Sequence, residues 1–355
     1  MGIETKFKQT RYIIMMMNKN KDVRKLISIK EITDIRPIEW ANKLELAIVG
    51  GWQVMVPKGE HKVGDKVVFF EIDTFLPCGI EEFKFLTEKE NRTVTAPNGE
   101  KVRGTVITSK KVRDITIQGL AMKPTAFKGL TNEADIEDFF KEMGVFKFEK
   151  VFATECNVIG EFPAFTSKTD SERVQNLTNE TLKILKENAT WVATEKVDGT
   201  STTWWKDENN NLRLANRNFE IEIKPDTSFD KVAKDLDLQN LLQPGDILKA
   251  ELVGEKIQSN TLKLQGQKLI IFEWESTRPM PETLKPHVTP IIDIEFPETI
   301  EQAIAQVDGM MSHVNPNVQA EGIVWWNKEK KEFAELGFRP NFKAINNQFI
   351  DDARD

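Results

Sequence analysis

The stretch Thr194-Glu195-Lys196-Val197-Asp198-Gly199-Thr200 joins two β-type runs. Trp191 and Ala193 alternate with other residues before it, and Ser201, Thr202, Thr203, Trp204 and Trp205 follow. The pattern predicts a tight connection between two strands, with Gly199 permitting the turn. Two readings are open here. One is an exposed lysine ahead of an Asp-Gly hairpin turn. The other is a lysine held between strands, stripped of water and brought toward neutrality, and a neutral amine is a nucleophile.

The flanking sequence divides in character. Residues 1–22, with consecutive methionines ending at Met17, are expected to be a disordered extension or the product of a mis-assigned start. From 23 to 150 the chain is expected to form one domain and its linker. Short alternating runs fall at 26–29, 44–49, 52–56, 66–72, 103–107 and 114–117, with glycine-bearing turns at Gly50-Gly51 and Gly64. About five short strands of this kind suggest an OB-like β-barrel. Lys110, Lys111 and Arg113 cluster with Arg103. They are either a solvated strand edge or a groove that tracks phosphates. Residues 132–143 are predicted to be an amphipathic helix, ended by Gly144.

The second domain is expected over 151–355. It has a capped helical turn at 169–176, helices at 182–188, 232–242 and 300–307, and strands at 212–215, 247–252, 268–275, 322–326 and 342–345. Its class is α+β with antiparallel sheets.

Composition narrows the function classes. The 355 residues suffice for two cores. No apolar run approaches the length of a membrane span, and no signal-peptide pattern is present. Two cysteines, Cys78 and Cys156, make no disulfide framework and point to a reducing, cytoplasmic setting. Three scattered histidines argue against histidine-based metal or triad chemistry. The net charge of −7 argues against tight coating of DNA, but residues 1–150 carry about +4 and 151–355 about −11.

Six short motifs then occur in order: Lys196-Val197-Asp198-Gly199, Asn216-Arg217-Asn218, Ala250-Glu251-Leu252-Val253-Gly254, Ile271-Phe272-Glu273, Glu321-Gly322-Ile323-Val324 and Asn341-Phe342-Lys343-Ala344. In this order they resemble the covalent nucleotidyltransferases, the polynucleotide ligases and mRNA-capping enzymes. The 44–52 segment of the OB-like domain and Arg173-Val174-Gln175-Asn176 ahead of the lysine narrow this to a resemblance to RNA ligase family 5, over nearly the whole chain. The fold it implies is an OB-like barrel followed by an antiparallel-sheet, ATP-grasp-like adenylyltransferase domain.

The resemblance implies an ATP-dependent RNA ligase that seals nicks bearing a 3′-OH RNA end and a 5′-phosphate. It implies Lys196 as the nucleophile that becomes AMP-lysine, with Mg²⁺ or Mn²⁺ on Glu321 and Glu251. Glu251 would also meet the ribose hydroxyls, Phe272 would stack on adenine, and Glu195 would read the adenine edge. Asp198 and Gly199 complete the nucleotide site. Arg217, Lys343 and Arg173 would bind phosphate. The implied partner is a nicked RNA duplex or RNA/DNA hybrid, with no membrane, and a monomer suffices.

Each residue also has a structural alternative. Phe272 could be plain core, Glu251 and Glu321 strand-end carboxylates facing water, and Arg217, Arg173 and Lys343 solvated surface charges. The last motif departs from the Lys-x-Lys of some RNA ligases, because Asn341 stands at the first position and Arg339 two residues earlier. About a dozen residues follow Lys343, so the added domain would be the N-terminal one. A DNA ligase, a capping guanylyltransferase and a non-catalytic OB-fold nucleic-acid-binding protein are the competing readings. Capping enzymes usually place the OB domain after the last motif.

Overall fold

The computed structural model describes residues 25–352 apart from 90, 98, 114, 131, 149–155 and 338. The expected extension over 1–22 and the expected domain boundary at 150/151 lie outside the described residues. The chain forms two compact units. One contains 25–148 together with Gln175–Thr178, and the other contains 156–174 and 179–352.

In the first unit a five-stranded sheet runs in the spatial order Leu120–Met122, Lys66–Phe70, Ile27–Pro37, Leu44–Val49, Trp52–Pro57, all antiparallel. Gly50, at φ 60°, makes the turn between the last two. The run Val67-Val68-Phe69-Phe70 is apolar at every position because both faces are covered. Val67 and Phe69 pack with Trp52, Val54 and Ile32 on one side. Val68 and Phe70 pack with Phe83, Phe127 and Phe140 on the other. Phe140 comes from the helix Ile136–Glu142, which follows a 3-10 turn Glu133–Asp135; the chain reverses at Gly144, φ 80°. A four-stranded sheet (Phe146–Lys147, Thr74–Pro77, Lys101–Val106, Arg92–Thr95) and a hairpin of Ser109–Val112 with Ile115–Gln118 complete the unit. The barrel strands carry more insertions than five strands alone would need. Residues 175–178 lie on this unit: Gly51 N donates to Gln175 O, and Lys30 Nζ and Trp52 Nε1 both donate to Asn176 Oδ1 at 2.9 and 2.8 Å.

The second unit holds two sheets. The six-stranded one runs Val158–Glu161, Phe219–Ile221, Leu212–Ala215, Thr200–Lys206, Ile247–Gly254, Gln267–Glu275. The five-stranded one runs Glu172–Arg173, Asn341–Ile345, Gly322–Asn327, Trp191–Lys196, Ile291–Ile292. Among the described residues the strands of both sheets pair antiparallel except Glu172–Arg173 with Asn341–Ile345, and an isolated parallel bridge joins Ile271 to Val288. Helices Ser228–Asp235 and Leu238–Leu241 cover the larger sheet, burying Phe229, Val232 and Leu238 against Trp204, Leu214 and Leu248.

Two expectations change. The helix expected over 232–242 is two helices, broken at Asp237, whose φ of 51° is left-handed. The helical turn expected over 169–176 is a two-residue strand followed by a 3-10 turn at Val174–Asn176. There Glu172 and Arg173 pair with Phe342 and Lys343, so tertiary pairing overrides the capping signal.

Candidate active site

Lys196 ends its strand in the five-stranded sheet, and Thr200 begins the next strand in the other sheet. The Asp-Gly pair is therefore a crossover between sheets and not a hairpin turn. Val197 anchors it in a buried cluster with Val253, Leu262, Ile270 and Val318. Gly199 is needed for close approach, not for a left-handed turn. A Cβ there would lie 2.3 Å from Leu252 O and 2.8 Å from Val253 Cγ1. Asp198 accepts from Thr261 Oγ1 at 3.2 Å, and Gln258 Nε2 donates to Gly199 O.

Lys196 Nζ donates to Glu321 Oε2 at 2.6 Å, and the two side chains are 25% and 15% exposed. Burial pulls the Lys196 ammonium toward neutrality, but Glu321, Glu251 and Asp198 outweigh it and hold it above the ordinary lysine range. Burial and nearby cations were expected to lower it; in the free protein the surrounding carboxylates reverse the sign. Glu251 is the counterpart. Burial, with Glu321 and Asp198 adding to it, pushes its carboxyl up to about 8 against the pull of Lys196 and Arg217. A carboxyl raised chiefly by burial, with other carboxylates beside it, gains from a cation placed there. Among the described residues no three His, Cys, Asp or Glu side chains are grouped to hold a metal alone. A hard cation that takes one or two carboxylates and completes its shell with phosphate and water oxygens fits Glu321 and Glu251.

Glu321 is set by its neighbours. Gly322, at φ 151°, lets the chain pass Ala344 O, which a Cβ would approach to 2.1 Å. Asn346, fully buried, donates its backbone N–H to Glu321 O, and its amide bonds Ala320 O and Gln319 Oε1. Glu251 lies on Ile247–Gly254, opposite Ser201.

Phe272 is half-buried, not core. The pairing of Ile247–Gly254 with Gln267–Glu275 shifts between Lys249/Glu273 and Ala250/Ile271, which leaves Phe272 as the extra residue of a β-bulge. Bulges re-aim side chains. Here the ring lies parallel to Trp326, with centroids 6.4 Å apart and planes at 20°, so residues of the two sheets meet in one aromatic pair.

The cations divide between the sheets. Arg173 and Lys343 are register partners on adjacent parallel strands, and Lys343 also pairs with Val324. Arg217, between two strands of the larger sheet, donates to Asp170 at 2.6 Å. Arg339 lies 3.7 Å from Glu172 Oε2, so its charge is engaged beside Arg173.

Glu195 is placed differently from its neighbour. Its side chain is buried: Ser312 Oγ donates to Oε1 at 2.5 Å and His313 N to Oε2 at 2.7 Å. Burial still holds its carboxyl above the usual range against those bonds. Adjacent strand residues face opposite sides, and this puts Glu195 into the protein when Lys196 faces the site. Its carboxylate holds the 312–313 loop.

Trp326, Ser312 and Asn346 escaped the sequence reading. The paired Trp325-Trp326 was a usable signal, since alternation must present one of the two outside the core. Nothing local marks Ser312 or Asn346.

An RNA ligase family model matches residues 189–345, and an OB-fold domain model matches residues 26–124. No curated protein sequence matches the chain. Among solved structures, Naegleria gruberi RNA ligase with PPi is 29% identical, with a TM-score of 0.75, over 93% of this chain and 99% of that one. A lysine-to-methionine mutant of the Naegleria ligase with AMP and Mn gives 29% and 0.76 over 93% and 99%. A glutamate-to-alanine mutant with ATP and Mn gives 29% and 0.76 over 94% and 100%. With an OB-fold unit ahead of the two sheets that hold Lys196, the chain belongs to the RNA ligases.

Proposed function

We propose that this RNA ligase uses ATP to seal nicks carrying a 3′-OH RNA end and a 5′-phosphate in an RNA duplex or RNA/DNA hybrid, through a lysyl-AMP intermediate. The observation that carries the reading is the Lys196 Nζ–Glu321 Oε2 contact of 2.6 Å, with Glu251 and Asp198 acting on the same amine. The Naegleria ligase structures with ATP, AMP, PPi and Mn support it by analogy.

In the first step Lys196 Nζ gives up a proton and attacks the α-phosphorus of ATP. A P–N bond forms, and the bond to the β-phosphate oxygen breaks. The 5′-phosphate then attacks this phosphorus and displaces the lysine, and the 3′-OH finally displaces AMP. A divalent cation on Glu321 and Glu251 would cancel the carboxylate field that holds Lys196 protonated and offset phosphate charge. Phe272, on its bulge beside Trp326, gives adenine an aromatic face, and Glu251 also meets the ribose. Lys343 and Arg173 take phosphate, with Arg217 across from them on the other sheet. Asp198 and Gly199 shape the turn under the nucleophile. Glu195, whose carboxylate also holds the 312–313 loop, helps to recognise the adenine edge.

The test is self-labelling. Protein incubated with α-labelled ATP and Mg²⁺ or Mn²⁺, then denatured, should carry one AMP. Lys196→Ala should carry none, and GTP should not substitute. Absence of label on folded wild-type protein with either metal would sink the reading.

A further inference from the structure

We propose that Trp40 and Arg113 form a phosphate clamp on the OB-fold unit, with Trp40 pinning the Arg113 guanidinium so that its edge engages the backbone of a nucleic-acid strand. The proposal deepens the reading above by naming where the OB unit takes the substrate strand, and it rests on that reading only for the identity of the strand.

OB folds take oligonucleotides across the second and third strands and between two loops, the one after the first strand and the one before the last. In this chain those loops are 38–43, between Ile27–Pro37 and Leu44–Val49, and the insertion between Lys66–Phe70 and Leu120–Met122. Trp40 lies on the first. Arg113 lies at the bend of the hairpin Ser109–Val112 with Ile115–Gln118, on the second. The two meet: Arg113 Cζ stands 4.7 Å from the centroid of the Trp40 ring.

Three features separate this contact from chance packing. Arg113 is exposed, so the stack buries no core and leaves the guanidinium edge to solvent. Its φ is 59°, left-handed backbone that glycine or asparagine fills at lower cost. A bend that only had to turn would carry one of those residues. The stretch that leads to it is cationic as well: from Lys101 to Arg113 the sequence holds five cations, and Asp114 is the first acid after them, in a chain of net charge −7. An arginine stacked on an aromatic face keeps its in-plane N–H donors for a phosphate, and its side-chain freedom is already spent before binding. An acidic protein partner would need less ordered cations; a regular line of phosphates uses a fixed fork.

The experiment measures affinity for a labelled nicked RNA duplex without ATP, across a salt series, so that it reads out whether or not Lys196 labels. Arg113→Ala should weaken binding about 5- to 10-fold and reduce the slope of log Kd against log salt by about 1. Trp40→Ala should weaken it similarly, Trp40→Phe should retain it, and the Trp40→Ala, Arg113→Ala double variant should be no weaker than either alone. Self-labelling with ATP should be unchanged in all four. Unchanged affinity and slope in Arg113→Ala would overturn the clamp, and so would fully additive losses in the double variant. Loss of label from wild-type protein with duplex binding intact would instead defeat only the adenylylation reading.

Discussion

Glu251 shows how far one buried carboxyl is bent by its company. Its folded value near 8 against an ordinary 4.5 means that the native protein holds a proton there which the unfolded chain releases. Stability of the metal-free protein is then fully supported at this group below about pH 4.5. It falls as pH rises toward 8 and levels off beyond. Glu251→Gln removes that dependence. Metal-free Glu251→Gln is expected to match wild type at low pH and to exceed it by roughly 1–3 kcal/mol above pH 8, read by denaturant unfolding at both pH values. A variant that loses stability at pH 8 would contradict this. At this scale Lys196, Glu321 and Glu251 were legible, because the chemistry needs a lysine and carboxylates in fixed order. The sign of the lysine's shift was not, because it depends on three carboxylates that only the fold brings near it.

Single elements carry the next level. The β-bulge at Phe272 turns a side chain out of a strand that would otherwise bury it, and alternation in Lys268-Leu269-Ile270-Ile271-Phe272 gives no warning of the extra residue. Phe272→Ala is expected to raise KM for ATP in self-labelling about tenfold, with a smaller change in the maximal rate. An unchanged KM would return Phe272 to a packing role. The run 66–70 was legible as a strand by its residue types, and the unbroken apolar character of 67–70 already implied cover on both faces. The split of 232–242 was not legible, since 235–238 keeps helical spacing and only the left-handed Asp237 breaks it. Arg278 makes a comparable point about loops. Its Nε and Nη2 both donate to the Asp246 carboxylate, and Nη2 donates to Leu241 O. Burial pushes the Asp246 carboxyl up, and Arg278, Ser276 and the Gln243 N–H more than offset it. Its contribution is present at neutral pH and lost as pH falls through the lowered value. Arg278→Ala is expected to cost about 3 kcal/mol at pH 7, by thermal melting, and less in acid.

At the scale of the molecule, the order of parts was legible and the path of the chain was not. An OB-like run followed by six motifs gave the sequence of units. The return of residues 175–178 to the first unit, fastened through Asn176 to Lys30 and Trp52, had no local signature, since it is made by partners 146 and 124 positions away. The charge asymmetry between the two halves does not mark the first unit, because residues 1–24 carry the excess of about +4 and residues 25–148 hold as many acids as cations.

Lys196 stands on one sheet, and the Phe272 face and Glu251 stand on the other. Neither sheet alone holds a complete site, although the Lys-Val-Asp-Gly sequence is present in every copy of the polypeptide. Under the proposed lysyl-AMP chemistry, covalent label from ATP would be a census of correctly assembled molecules: moles of AMP per mole of chain would report the fraction in which the sheets have met, independently of any turnover rate. In a urea series the labelled amplitude should fall along the unfolding curve of the second unit, and a batch that labels to half stoichiometry should contain half its chains misassembled.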